Sequence, residues 1–401
     1  MRTLRKLKTA GLILLILSLS CGSHAATAKD CWIGTWVSGQ QLTEPRNLPP
    51  APGLSNNTLR QVIHVTLGGR RLRVQFSNAY GSGPVTINAA HLAVSKGASA
   101  IDPATSKALS FQRESSTTIS AGKAVYSDTI DFDVKPLSNL AVSIYFGQTS
   151  ADVTGHPGSR TTSYIQSGNK VTATNMASAG KTNHWYILSG VDLWLDDSYA
   201  CVVTLGDSIT DGRGSTTNGN NRWPDNLARR LQANPSTAKI GVLNQGIGGN
   251  AVVKGGLGPT ALKRFDHDVL SQNGVRWVII LNGVNDIGGS RSQKVATDLI
   301  AAYKQFIDKA HARDILMYGV PILPFGGSFY DSEDHEAARQ TVNKWIRTSG
   351  KFDAVIDLDA AVRDPANPNK LLSTYDTGDH LHLNVKGYQK MAEAIDLNLF
   401  K

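Results

Sequence analysis

From Ala200 onward the sequence alternates between short apolar runs and amphipathic stretches, and this alternation limits the possible fold more than any other feature. Residues 201–205, 240–243, 277–281, 315–320 and 354–358 read as strands, while 224–232, 260–272, 293–313 and 333–348 read as helices and 385–399 closes the chain. Strand and helix in strict succession specify a parallel sheet with helices on both faces, because the crossovers are right-handed. The carboxyl ends of the strands then open on one shared rim, where such sheets hold ligands.

Before Ala200 the period is two. Leu72, Val74 and Phe76 alternate with Arg71, Arg73 and Gln75, and together with residues 62–67 they predict a hairpin turning at Gly68-Gly69. Residues 85–94, 125–134, 140–146 and 185–195 keep the β character, and no amphipathic helix of normal length interrupts them. The expectation is an all-β sandwich or jelly-roll-like domain over residues 29–197, then an α/β domain over 198–401. A chain of 401 residues with 41% apolar content suffices for two such cores.

Residues 1–28 read as a secretory signal peptide: Arg2, Arg5, Lys6 and Lys8 precede an apolar run over 10–19, and small residues around Ala25 and Ala28 offer cleavage sites. A lipoprotein reading through Cys21 is weaker, since the usual leucine three residues upstream is missing. The leader holds four of the 41 basic residues and no acidic one, so the formal charge falls from +9 to +5 without it. With no Lys/Arg block and no aromatic-interleaved basic motif, nucleic acid is not an expected partner. Cys31 and Cys201 remain, and the sequence leaves open whether they form a disulfide.

The chemistry sits in the blocks that succeed the strands at the rim. Gly206-Asp207-Ser208 comes after the first, Asn244 to Asn250 with Gly246, Gly248 and Gly249 after the second, Gly283-Val284-Asn285-Asp286 after the third, and Asp379-His380-Leu381-His382 lies beyond the fifth. These supply a hydroxyl nucleophile, glycine amides, a neutral amide donor, and a carboxylate three residues before an imidazole. Each block alone is weak; the set is specific.

With these blocks in order, the stretch from Ala200 to the C-terminus resembles the SGNH hydrolases, or GDSL esterase/lipase family. The resemblance implies a flavodoxin-like three-layer α/β fold and a secreted serine esterase needing no metal or cofactor. It implies Ser208 as nucleophile, His382 as base and Asp379 as its orienting partner. The oxyanion hole would be the Ser208 amide, Gly249 and Asn285; Gly246 and Gly248 compete for the glycine role, and Gly249 is preferred because it stands five residues after Asn244. The absence of Gly-x-Ser-x-Gly argues against the larger α/β-hydrolase fold.

Plainer readings stand beside these. Asp207 and Asp286 suit turns better than catalysis. His380, His382 and Asp379 as a metal trio lack further ligands. In the loop 154–160, His156 and Arg160 are candidates to reach the substrate, but the turn-rich composition is read more simply as an ordinary loop. Trp185, Tyr186 and Trp194 suit a core, whereas Tyr164 is expected to face solvent. The substrate is then a small acyl ester or an acetylated glycan, and the β domain is expected to wall the cleft rather than grip sugar.

Overall fold

The computed structural model describes residues 29–292 and 294–401. The leader reading of residues 1–28 lies outside these. Among the described residues no helix is long and apolar enough to cross a membrane.

The C-terminal half holds a five-stranded parallel sheet: β1 (Ala200–Gly206), β2 (Ile240–Gly246), β3 (Val275–Leu281), β4 (Leu316–Gly319) and β5 (Ala354–Val355), in the spatial order β2-β1-β3-β4-β5. This is the flavodoxin-like order, whose switch point lies beside the first strand. Every residue of β1 is buried, which is why Ala-Cys-Val-Val-Thr-Leu-Gly reads as an unbroken run rather than an alternation. Its side chains divide between two cores. Val202 meets Trp223, Leu227 and Tyr388 on one face, and Val203 and Leu205 join the cluster of Leu299 and Phe306 on the other.

The expected helices are present with changed ends. The stretch 260–272 is an α-helix only over Ala261–Phe265 and widens to a π turn over Asp266–Leu270. The fifth strand stops at Val355, where the Asp357 carboxylate accepts the Ala360 N–H and starts a helix, Leu358–Val362, that the apolar pattern hid. The final helix ends at Glu393, and Asp396 caps a separate turn, Leu397–Phe400.

The N-terminal half is β-rich, its strands gathered in three antiparallel sheets. One contains Asp30–Val37, Leu188–Asp196, Gly69–Ser77 and Ile130–Val134; the second is centred on Asn57–His64, Asn139–Phe146 and Val85–Gly97; the third joins Gln41–Leu42, Thr154–His156 and Trp185–Tyr186. The hairpin at Gly68-Gly69 does not form. Asn57–His64 pairs with Asn139–Phe146 and Ser163–Ser167, whereas Gly69–Ser77 pairs with Leu188–Asp196 in the other large sheet. Neither glycine has the positive φ that a primed turn needs. Buried Val65 and Leu67 carry the chain across instead, and the Thr35 hydroxyl accepts the Thr66 and Leu67 N–H groups at 3.2 and 2.8 Å. The run 185–195 likewise splits at Ile187, whose φ of 63° moves the chain between sheets.

The halves share a core. Ile33, Trp36 and Leu67 belong to the same apolar cluster as Val203, Leu243 and Val278. Cys31 and Cys201 are both free thiols, and the buried Cys201 Sγ donates to the Gly34 carbonyl at 2.9 Å.

Candidate active site

β1 ends at Gly206, where an added Cβ would overlap the Thr210 hydroxyl and crowd the Leu281 carbonyl, so only glycine lets the chain turn there. The Asp207 carboxylate accepts the Ile209 N–H at 3.0 Å and starts the single helical turn α1 (Ser208–Asp211). Asp207 thus serves the turn. Burial pushes its carboxyl up to about 7, a shift that the Ile209 N–H reduces and the nearby Asp286 charge increases.

Ser208 begins α1 with its Oγ 2.8 Å from His382 Nε2. His382 Nδ1 lies 2.7 Å from Asp379 Oδ2, while Asp379 Oδ1 accepts the Leu381 and His382 backbone N–H groups at 3.1 and 2.8 Å. Burial opposes ionisation of Asp379, but these N–H donors and the ring outweigh it and hold the carboxyl well below the usual carboxylate range. Burial depresses the His382 imidazolium, and the Asp379 carboxylate offsets only part of that effect. The ring is therefore a neutral acceptor facing a serine hydroxyl.

Opposite lie the amide donors. Asn285 Nδ2 donates to the Asn250 carbonyl at 2.9 Å, and Asn285 Oδ1 accepts the Tyr330 hydroxyl at 3.0 Å. Both ends of the amide are fixed, which leaves its second N–H for the cleft. Gly248 and Gly249 line the cleft with Ser208, His382 and Asn285, and Gly249 has φ +71°. Gly246 serves packing instead, lying against the Asp211 backbone where a side chain would collide. Asp286 accepts the Val252 and Val253 N–H groups at 2.7 and 2.9 Å, so it orders the loop beyond the glycines.

The geometry separates the two histidines of the last block. His380 Nδ1 turns to Asp376 Oδ2 at 2.6 Å, away from the pair made by His382 and Asp379. Tyr164 is a correction: it is buried, 5% exposed, because its strand pairs with Asn57–His64 rather than lying at the surface.

Sequence reasoning expected the N-terminal half to wall the cleft but, apart from His156 and Arg160, did not name the residues that line it. Glu44, Arg46, Pro157, Gly158, Arg160 and His184 line the same cleft as Ser208. His156, read as part of an ordinary loop, is buried with Nε2 2.9 Å from Asp211 Oδ1. Gly158 lies so close over the Asp211 carboxylate that no side chain fits there. Tyr330 and Phe329 also went unnoticed. The signal for the 154–160 loop was a histidine and an arginine in a turn-rich composition, which does not say what the loop touches.

Residues 204–390 match the model of the GDSL-like lipase/acylhydrolase family. No curated protein matches the chain. Among solved structures, an acetylxylan esterase of Geobacillus stearothermophilus is 21% identical over 49% of this chain and 91% of its own, with a TM-score of 0.38. A GDSL-like lipase of Bacteroides thetaiotaomicron is 20% identical over 48% of this chain and 84% of its own, with a TM-score of 0.36.

Proposed function

We propose that this chain, which belongs to the GDSL-like lipase/acylhydrolase family through residues 204–390, is a serine esterase that hydrolyses acyl esters through an acyl-enzyme intermediate. One observation carries the reading: the unbroken relay from Ser208 Oγ to His382 Nε2 at 2.8 Å and from His382 Nδ1 to Asp379 Oδ2 at 2.7 Å.

In this mechanism Ser208 Oγ attacks the ester carbonyl carbon as its proton passes to His382 Nε2. Asp379 keeps the proton on Nδ1 and stabilises the imidazolium. Negative charge gathers on the former carbonyl oxygen, where the Ser208 and Gly249 amides and Asn285 Nδ2 donate, each worth about 3 to 4 kcal/mol of barrier. As the carbon–oxygen bond breaks, the imidazolium returns the proton to the departing alcohol. Water then repeats the sequence on the acyl-serine.

The all-β sandwich domain over 29–197, the hydrolase domain over 198–401, and export directed by 1–28 belong to the same proposal. A second reading, an acetylesterase acting on glycan, is favoured by the wall that Glu44, Arg46 and Arg160 lend to the cleft. A fluorophosphonate probe should label Ser208, and Ser208→Ala should stay folded yet lose both labelling and p-nitrophenyl acetate hydrolysis. Labelling at another serine, or an active alanine variant, would overturn the assignment. Acetylated xylan tested beside short p-nitrophenyl esters separates the two substrate readings.

A further inference from the structure

Arg213 comes just after the helical turn that Ser208 begins. Its backbone N–H donates to the Ser208 carbonyl at 2.9 Å, and its own carbonyl accepts the Tyr388 hydroxyl at 2.5 Å. The next residue, Gly214, packs against the Leu383 carbonyl beside His382. Arg160 reaches the same place from the N-terminal half. It is held in the left-handed region at φ +50°, which residues other than glycine seldom adopt, and its Nε is buried without an acceptor among the described residues.

Both guanidiniums line the cleft of Ser208 and His382, with Arg46 at its rim. None of the three has a carboxylate partner among the described residues, although carboxylates are near. Glu44 is taken by Gln41 and Asn47 at 2.6 and 2.9 Å, Asp211 by His156 through Oδ1 alone, and Asp379 by His382. Both Arg160 and Arg213 also bear on the His382 ring, depressing its imidazolium beyond the effect of burial. The unpaired Arg160 guanidinium, its Nε buried, is well suited to a bidentate anion, and the exposed Arg213 and Arg46 add positive charge beside it.

The side of the ester it would meet follows from the chemistry. The leaving alcohol must lie within hydrogen-bond reach of His382 Nε2 to receive its proton, and these cations flank His382. Around Gly249 and Asn285 the wall is instead apolar, formed by Leu257 against Gly249 and by Phe329, 74% exposed, against Tyr330.

We infer that Arg160 and Arg213, with Arg46, form a subsite for an anionic group on the alcohol half of the substrate, so that the preferred esters are those of alcohols bearing a carboxylate or a phosphate. This rests on the esterase reading for its catalytic part only. Hydrolysis of 3-acetoxybenzoate against 3-acetoxybenzamide compares a charged and a neutral alcohol at similar shape. The ratio of kcat/KM should favour the anion about tenfold and fall toward one in Arg160→Gln/Arg213→Gln and, without any substitution, in 0.5 M salt. Calorimetry with 3-hydroxybenzoate, 3-hydroxyphenyl phosphate and 3-hydroxybenzamide reads the subsite independently of turnover. Tighter binding of either anion, lost in the double variant, supports the subsite even if Ser208 cleaves neither ester, and shows which anion fits. Equal binding of all three overturns it even if the esterase reading stands.

Discussion

His156 Nε2 stands 2.9 Å from Asp211 Oδ1, joining a strand of the N-terminal half to the last residue of the turn that Ser208 begins. His156 Nδ1 lies 2.6 Å from the Gly39 carbonyl oxygen, so both ring nitrogens face acceptors. His156→Ala would leave the Asp211 carboxylate buried without its partner, at a loss of roughly 3–5 kcal/mol, whereas Asp211→Asn keeps a polar partner facing the ring and should lose less. Urea unfolding of the two variants checks the order. An alanine variant as stable as the parent would mean that the pair does not tie the halves together.

The pH dependence follows from His382. The ring works as a base only when neutral, and burial holds its imidazolium below the ordinary range. The acid limb of kcat/KM should consequently lie below pH ~6.5, the unperturbed imidazole value. Asp379 acts in the opposite sense, raising the ring, so Asp379→Asn should move the limb further toward acid while lowering kcat by about 10⁴-fold through loss of the correct tautomer. A limb shifted toward alkaline pH in that variant would contradict the sign of the interaction.

Asn285→Ala should lower kcat by roughly 10²- to 10³-fold with KM little changed, because its amide meets charge that develops in the transition state. Tyr330→Phe tests how the amide is aimed. It removes the hydroxyl that donates to Asn285 Oδ1 at 3.0 Å and should lower kcat less than the alanine variant, again with little change in KM. If KM rises and kcat holds, Tyr330 contacts substrate instead of orienting Asn285.

The parallel sheet was legible because a strand buried on both faces leaves a continuous apolar signature, as in Val202 to Leu205, and the first three rim blocks adjoin its strand ends directly. The path of the N-terminal half was not. A period of two shows that Val62 to Phe76 is extended, yet pairing depends on which sheet each strand joins, and the Thr35 and Val242 contacts that separate these strands are remote in sequence. What Arg160 and His156 touch was hidden for the same reason. Loop composition records a turn, and Ser208 and His382, whose cleft it walls, lie more than forty positions away.

The thiols give a chemical check. In protein spanning 29–401, Cys31 is half-buried and Cys201 fully buried, with burial raising both thiols above their ordinary range. One thiol should titrate with Ellman's reagent in the native state, slowly at pH 8, and the second only in denaturant. No titratable thiol after unfolding would reveal a disulfide.

The last expectation concerns whether the α/β half can stand alone. The N-terminal half does more than border it. The Gly34 N–H donates to the Asn273 carbonyl at 3.0 Å, and the Gly34 carbonyl accepts the Cys201 thiol. The Val242 N–H donates to the Thr66 hydroxyl at 3.1 Å, and Ile33 and Leu67 share an apolar cluster with Leu243 and Val278. Cutting at residue 198 would expose this apolar face and strand the buried polar groups that now find partners across it. Residues 198–401 made alone should therefore be poorly soluble or lack a cooperative unfolding transition, and adding residues 29–197 in the same chain should restore both. Near-ultraviolet circular dichroism and a melting curve decide the matter. A soluble fragment that melts cooperatively and labels at Ser208 would show that the N-terminal half shapes the cleft without holding up the fold.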